Sequence, residues 1–141
     1  MSRRFLIVTL GCAGVVFSWS LVSAARTQHD AKAHRHQEAQ ALVNPLKPTA
    51  DVLAAGRKMF DRYCVDCHGE EGKGDGVAGE SLKPRPSDFT DDTWQHGSSD
   101  GEIFIVARDG AGEGMKGFKG KLTDQQLWQV VTFIKSLRKD P

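Results

Sequence analysis

The chain carries YCVDCH at residues 63–68, and this stretch contains Cys-x-x-Cys-His, the motif that attaches a c-type haem. Its two thiols, Cys64 and Cys67, lie one turn apart, so each can bond to one of the two vinyl groups on the porphyrin edge. The next residue, His68, then reaches the iron from one side as a neutral nitrogen ligand. We therefore predict one covalently attached haem c per chain, bound through Cys64 and Cys67, with His68 as an axial ligand of the iron.

Other uses of a Cys-x-x-Cys pair fit this sequence less well. A structural zinc site requires four ligands, and no second cluster of Cys and His occurs in the part of the chain that is expected to fold. A thioredoxin-like redox pair is expected within a βαβ pattern, and the surrounding sequence has none. A disulfide across so short a loop would constrain little.

Length and charge indicate the broad class. The 141 residues are enough for one domain. The formal net charge is +1 and 39% of the residues are hydrophobic, as in an ordinary soluble protein. Because no basic excess is present, nucleic acid is not an expected partner.

The N-terminus resembles an export signal. Arg3 and Arg4 form a positive start, residues 5–22 are almost free of polar side chains, and small residues precede a cleavage position after Ala24. The apolar run also approaches the about 20 residues that span a bilayer, so a retained membrane tether is the alternative. Residues 1–25 are therefore a signal peptide or an anchor. Either way the remainder crosses the membrane, and we expect it in the bacterial periplasm.

A linker and one domain are expected after this segment. Residues 26–48 are polar, hold three of the five histidines and end with Pro45 and Pro48, which favour an extended chain. We interpret this stretch as a solvated linker in preference to a metal site. The domain itself is predicted to span residues 49–141.

Three helices are predicted in the domain. Apolar residues recur at three- and four-residue spacing from Val52 to Tyr63, so the first helix leads directly into the haem motif. A second helix, ending at Asp109, begins with a capping box in which Ser99 is the N-cap. A third begins with another capping box at Thr123 and has one strongly apolar face.

Two glycine-rich segments separate these helices. Residues 70–80 are interpreted as a flexible, acidic loop, since they lack the pattern of a phosphate-binding loop. Residues 111–120 form a second loop. A stiff, proline-containing run lies between the first loop and the second helix, and a carbonyl of Pro84 or Pro86 is a candidate acceptor for the second ring N–H of His68.

The second axial ligand decides what the iron does. Met115 lies 47 residues after His68 in the second glycine-rich loop, which can fold over the other face of the haem. A methionine there raises the reduction potential and suits electron transfer. The alternatives are His96 and an open face, whereas Met59 lies too close to Cys64 in sequence. We favour Met115 as the iron ligand opposite His68.

With these pieces placed, residues 49–141 resemble a class I, mono-haem c-type cytochrome of bacteria. The resemblance rests on the haem motif, the Met115 loop and a crossing of the first and last helices, with Gly56, Phe60 and Phe133 at the family's contact positions. It implies an all-α fold of three to four helices around one haem. The chain departs from the family where Lys116 replaces the proline that commonly follows the methionine.

The resemblance implies an exported one-electron carrier that is not itself an enzyme. Its partners would be an oxidase, a reductase or a dehydrogenase, and we expect a monomer outside any complex. From residue 49 onward, thirteen Lys and Arg stand against sixteen Asp and Glu, a net formal charge of −3. Lysines cluster around Met115, where solvated surface charge is the default interpretation. The functional alternative is that they surround the exposed haem edge and steer an acidic partner. The alternatives are a haem-based ligand sensor or peroxidase-like protein, and a cytochrome subunit of a larger complex.

Overall fold

The computed structural model describes residues 36–138, and the predicted signal or anchor therefore lies outside the described residues. Four α-helices and one short hairpin make up the described chain, which confirms the all-α prediction. The elements are α1 (Ala50–Tyr63), α2 (Val65–His68), α3 (Asp100–Asp109), β1 (Gly110–Ala111), β2 (Met115–Lys116) and α4 (Asp124–Leu137), with a 3-10 turn at Gln37–Ala39 before them. Among these helices, none combines the length and the apolar character needed to cross a membrane.

The helix starts follow the predicted caps. The Ser99 hydroxyl accepts from the Glu102 N–H, and the Glu102 carboxylate accepts from the Ser99 N–H in return, which completes the capping box of α3. Thr123 and Gln126 form the same arrangement at the start of α4. Thr49 caps α1 by accepting from the Val52 N–H. Each cap satisfies backbone donors that a helix leaves unpaired in its first turn.

The crossing of α1 and α4 forms the centre of the core. A Cβ atom added at Gly56 would lie 2.1 Å from the carbonyl oxygen of Gln129 and 2.8 Å from the Cβ of Phe133, so the two backbones touch there. One turn further on, the rings of Phe60 and Phe133 lie 5.3 Å apart. The glycine and aromatic contact positions predicted from the resemblance are confirmed.

Part of the expected linker belongs to the folded structure. His36 and Ala39 are only 4% and 1% exposed. The amide of Asn44 donates a 2.9 Å hydrogen bond to the hydroxyl of Thr132 on α4. The prediction of a solvated linker is therefore wrong for His36 and Ala39, whose side chains are buried, whereas residues 40–43 are exposed. Residues 26–35 lie outside the described residues.

The first glycine-rich loop has no helix or strand, as predicted, but it is tightly folded. Its backbone donates from Gly74 to the carbonyl of His68 and from Ala78 to the carbonyl of Asp66, at 2.8 and 2.9 Å. A Cβ atom at Gly76 would lie 2.5 Å from the carbonyl oxygen of Asp66. The expectation of a flexible loop is wrong, because the glycines let the loop lie directly on the backbone of the haem motif.

Candidate haem site

The haem motif spans the junction of two helices. Cys64 ends α1 and is also the N-cap of α2, which contains Cys67 and His68. The hydrogen bond from the Cys64 N–H to the carbonyl of Phe60 fixes this junction, at 2.8 Å. The two cysteines are free thiols and half-buried, and His68 is buried. Local helical geometry thus presents all three side chains from consecutive turns.

A cavity of about 600 Å³ opens beside these residues. Its wall includes Cys64, Cys67 and His68, together with Met115 from β2 and His96 from the loop before α3. The volume lies in the range of cofactor sites, and two free thiols and an imidazole are the donor set that haem c requires. The residues present therefore fit this group.

The imidazole of His68 is held on two sides. The ring of Phe89 stacks on the ring of His68, with centroids 4.5 Å apart and planes 18° apart. The Nδ1 atom of His68 lies 3.4 Å from the carbonyl oxygen of Ser87. Burial lowers the pKa of His68 below its usual value, and the Ser87 carbonyl opposes this shift. A lowered pKa favours the neutral ring, which is the form that can bind a metal, and Nε2 would be the nitrogen available to it.

The acceptor for His68 differs from the predicted one. We expected the carbonyl of Pro84 or Pro86, and the structure places that of Ser87 beside the ring. The carbonyl of Pro86 lies against Gly74, where an added Cβ would approach it to 2.3 Å. The first glycine-rich loop thus occupies the side of the run to which Pro86 points. Phe89 was likewise missed as a positioning residue, although an aromatic residue at the end of a stiff, proline-rich run was the available signal.

The thiols are in an apolar setting. Burial, with a smaller contribution from neighbouring Cys67, raises the pKa of Cys64 to about 12. Cys64 is therefore protonated at physiological pH, and this thiol is not a reactive thiolate in the folded chain.

The structure distinguishes Met59 from the other two candidates for the second iron ligand. Met115 and His96 both line the cavity. Met59 does not, and its sulfur instead lies 3.8 Å from the side-chain nitrogen of Gln126. The rejection of Met59 is therefore consistent with the geometry, while both remaining candidates have access to the cavity.

A short hairpin holds the Met115 loop, although the sequence suggested only a loop. Gly110 pairs with Lys116 and Ala111 pairs with Met115. After the hairpin, the N–H of Phe118 donates to the carbonyl of Ala107, at 3.0 Å. Strand pairing and this bond to α3 restrict the loop in place of the proline that Lys116 replaces.

Comparisons with known proteins identify the family of the chain. Residues 51–134 match the family model described as "Cytochrome C oxidase, cbb3-type, subunit III". The chain is 29% identical over 84 residues to the cbb3-type cytochrome c oxidase subunit FixP of Bradyrhizobium sp. (strain ORS 278), covering 60% of this chain and 27% of FixP. It is 34% identical over 103 residues to the cbb3-type subunit CcoP of Azospirillum brasilense, covering 64% of this chain and 32% of CcoP.

A small solved cytochrome also matches. The KustC0563 c-type cytochrome has 32% sequence identity and a TM-score of 0.53, and the match covers 60% of this chain and 98% of that one. By contrast, the chain spans about a third or less of the length of FixP and CcoP. The cytochrome domain is thus the part shared with the oxidase subunits. The chain belongs to the c-type cytochromes, in the family of cbb3-type cytochrome c oxidase subunit III, and its cofactor is covalently bound haem c with iron.

Proposed function

We propose that this protein is an exported one-electron carrier whose haem is attached through Cys64 and Cys67 and ligated by His68 and Met115. The observation that carries the proposal is the meeting of all four side chains at one cavity, although they come from the α1–α2 junction, α2 and β2. When bound, haem c supplies an iron that exchanges one electron. The protein's part is to bind the group, to fix the ligands and to limit access of water.

His68 and Met115 have separate tasks in this proposal. The Phe89 ring and the Ser87 carbonyl fix the His68 ring, so Nε2 would keep one direction toward a bound iron. The thioether of Met115 is a soft, neutral ligand that favours the reduced form and raises the potential. A coordination sphere that does not rearrange keeps electron transfer fast.

The site of action follows from the proposed export of the chain. Residues 1–25 would direct the domain across the membrane, to the bacterial periplasm, with or without remaining as a tether. Its partners would be periplasmic redox proteins or a respiratory complex. The names of the oxidase subunits that it resembles favour a cbb3-type cytochrome c oxidase as one such partner.

The mouth of the cavity favours an acidic partner. Four exposed cations contribute to its lining: Lys83, Arg85, Lys116 and Lys121. They contrast with the domain as a whole, which is net acidic. Charges arranged in this way would orient an approaching acidic protein so that its redox centre faces the mouth of the haem cavity.

Replacing Met115 tests the electron-carrier proposal. The variant Met115→Ala should keep covalent haem but bind carbon monoxide in the reduced state, because the sixth position opens. The midpoint potential should fall, since the thioether no longer favours ferrous iron. Optical redox titration with and without carbon monoxide measures both effects.

The controls for this experiment are Met59→Leu and His96→Ala. Met59 lies outside the cavity wall, so its replacement should leave the spectrum unchanged. If His96→Ala opens the iron and Met115→Ala does not, ligation is bis-histidine. If the unaltered protein already binds carbon monoxide readily, the sensor or peroxidase-like alternative replaces the carrier.

Reversing two charges tests the docking surface. The double variant Lys116→Glu, Lys121→Glu should slow oxidation by anionic ferricyanide about tenfold at low ionic strength and should speed oxidation by a cationic cobalt complex. Both differences should shrink above about 0.1 M salt. Stopped-flow absorbance measures the rates. Lys47→Glu, Lys58→Glu makes the same change of net charge away from the cavity, and an equal effect there would refute a local docking surface.

A further inference from the structure

The segment 36–44, here called the N-terminal strap, lies across the start of α3. A Cβ atom added at Gly101 would lie 1.9 Å from the carbonyl oxygen of Ala39 and 2.7 Å from the Cβ of Leu42. The absence of a side chain at Gly101 therefore makes room for the strap. The Asn44 amide joins the other end of the strap to Thr132 on α4, at 2.9 Å.

The strap also contacts a fully buried carboxylate. The side chain of Glu102 is 0% exposed. One of its oxygens, Oε2, accepts from the N–H and the hydroxyl of Ser99, and the other, Oε1, accepts from the amide of Gln40 in the strap at 3.2 Å. A buried carboxylate requires such partners, so the strap is part of the environment that keeps Glu102 in place.

Glu102 in turn supports the cavity wall. Gly97 has a φ of +89°, and a Cβ atom added there would lie 2.2 Å from the carboxyl carbon of Glu102. Residues 94–97 line the haem cavity, and the ring of His96 lies 6.3 Å from the ring of His36 in the strap. A continuous set of contacts thus runs from the strap through Glu102 to this wall.

We propose that the strap positions the wall formed by residues 94–97 and thereby sets how much water reaches the haem and what its reduction potential is. The inference rests on the proposed attachment of haem at this cavity. With the strap in place, the wall keeps water away and favours the less charged, ferrous form. Displacing the strap admits water, stabilises ferric iron and lowers the potential.

The substitution Gly101→Ala displaces the strap by the smallest possible change. Alanine is a better helix former than glycine, so α3 itself tolerates the methyl group, and only the approach of the strap at Ala39 and Leu42 is blocked. We expect the ratio of oxidised to reduced protein at fixed potential to rise about tenfold, because the shell around a metal site controls solvent access and with it the redox potential. For one electron this equals a fall of about 59 mV.

A deletion provides the matched background. Removing residues 36–43 from the full chain, with residues 1–35 kept for export, should lower the potential by a similar amount. In that background Gly101→Ala has no strap to meet, so it should add nothing. Gln40→Ala removes only the hydrogen bond to Glu102, and we expect a smaller shift in the same direction, about twofold in the same ratio.

Limited proteolysis and redox titration together decide the result. If Gly101→Ala makes residues 36–44 susceptible to protease while the potential of the haem-loaded protein stays unchanged, the inference is wrong. The same holds if Gly101→Ala shifts the potential equally in the deletion background. If Gly101→Ala does not fold, an unchanged potential in Gln40→Ala also overturns it. Absence of covalent haem from the unaltered protein would instead refute the proposed function.

Discussion

Replacing both Cys64 and Cys67 by serine is expected to abolish covalent haem attachment. No thiol would remain at the cavity wall to bond to the porphyrin vinyl groups. Each single replacement should leave at most one bond and a strongly reduced yield. Haem staining after denaturing electrophoresis, with the intact mass of the protein, measures attachment.

The loss of haem should also weaken the fold. A domain of this size buries a limited apolar core, and its aromatic and aliphatic residues surround a cavity of about 600 Å³. Far-ultraviolet circular dichroism of the double variant should therefore show less helix and a lower unfolding temperature. Cys12→Ser, in the predicted signal or anchor, is the matched control and should keep its haem. Haem that remains bound after denaturation of the double variant would contradict the assignment.

Replacing Gly56 by alanine is expected to destabilise the haem-loaded protein by about 3 kcal/mol. Overpacking of a core costs about 1–3 kcal/mol, and here the added methyl group would lie 2.1 Å from the backbone oxygen of Gln129. Because backbone atoms of α4 cannot move aside as a side chain does, the two helices must separate. That also disturbs the contact of Phe60 with Phe133. Denaturant unfolding followed by circular dichroism measures the change.

The reverse substitution nearby is the control for this prediction. Ala54 lies on the exposed side of the same helix, so Ala54→Gly should cost only about 1 kcal/mol from helix propensity. Alanine should thus be more stable than glycine at position 54 and less stable than glycine at position 56. A Gly56→Ala variant that is more stable than the unaltered protein would show that the helices do not cross so closely.

The similarity to oxidase subunits is compatible with two arrangements of the protein: a separate carrier, or a subunit of a larger complex. The domain matches part of FixP and CcoP, whereas it covers nearly the whole of a small c-type cytochrome. As a separate carrier the protein would resemble the small cytochrome, and as a subunit it would resemble the cytochrome part of FixP and CcoP. The tagged full chain can be purified from membranes at low salt and then washed at higher salt. A stable subunit should keep its partners through the wash, whereas a carrier held by surface charges should lose them.

Local sequence signals determined much of this protein. Cys-x-x-Cys-His predicted the haem, and the capping boxes at Ser99 and Thr123 predicted the starts of α3 and α4, as the structure confirms. Apolar periodicity and Gly56 predicted the crossing of α1 with α4. These features depend on residues within a few positions of one another, or on a glycine whose only use in a helix is close approach, so they can be read before folding.

The tertiary structure alone decided how distant segments meet. The carbonyl of Ser87 lies beside the Nδ1 atom of His68, where that of Pro84 or Pro86 was expected, because the first glycine-rich loop lies against Pro86. The strap packs against α3 and α4 and buries His36 and Ala39, although its composition is that of a linker. A hydrogen-bond partner or a buried face depends on which segment lies opposite, and that segment can be anywhere in the chain. The sequence therefore could not indicate that His36 is buried or that Gln40 donates to the carboxylate of Glu102.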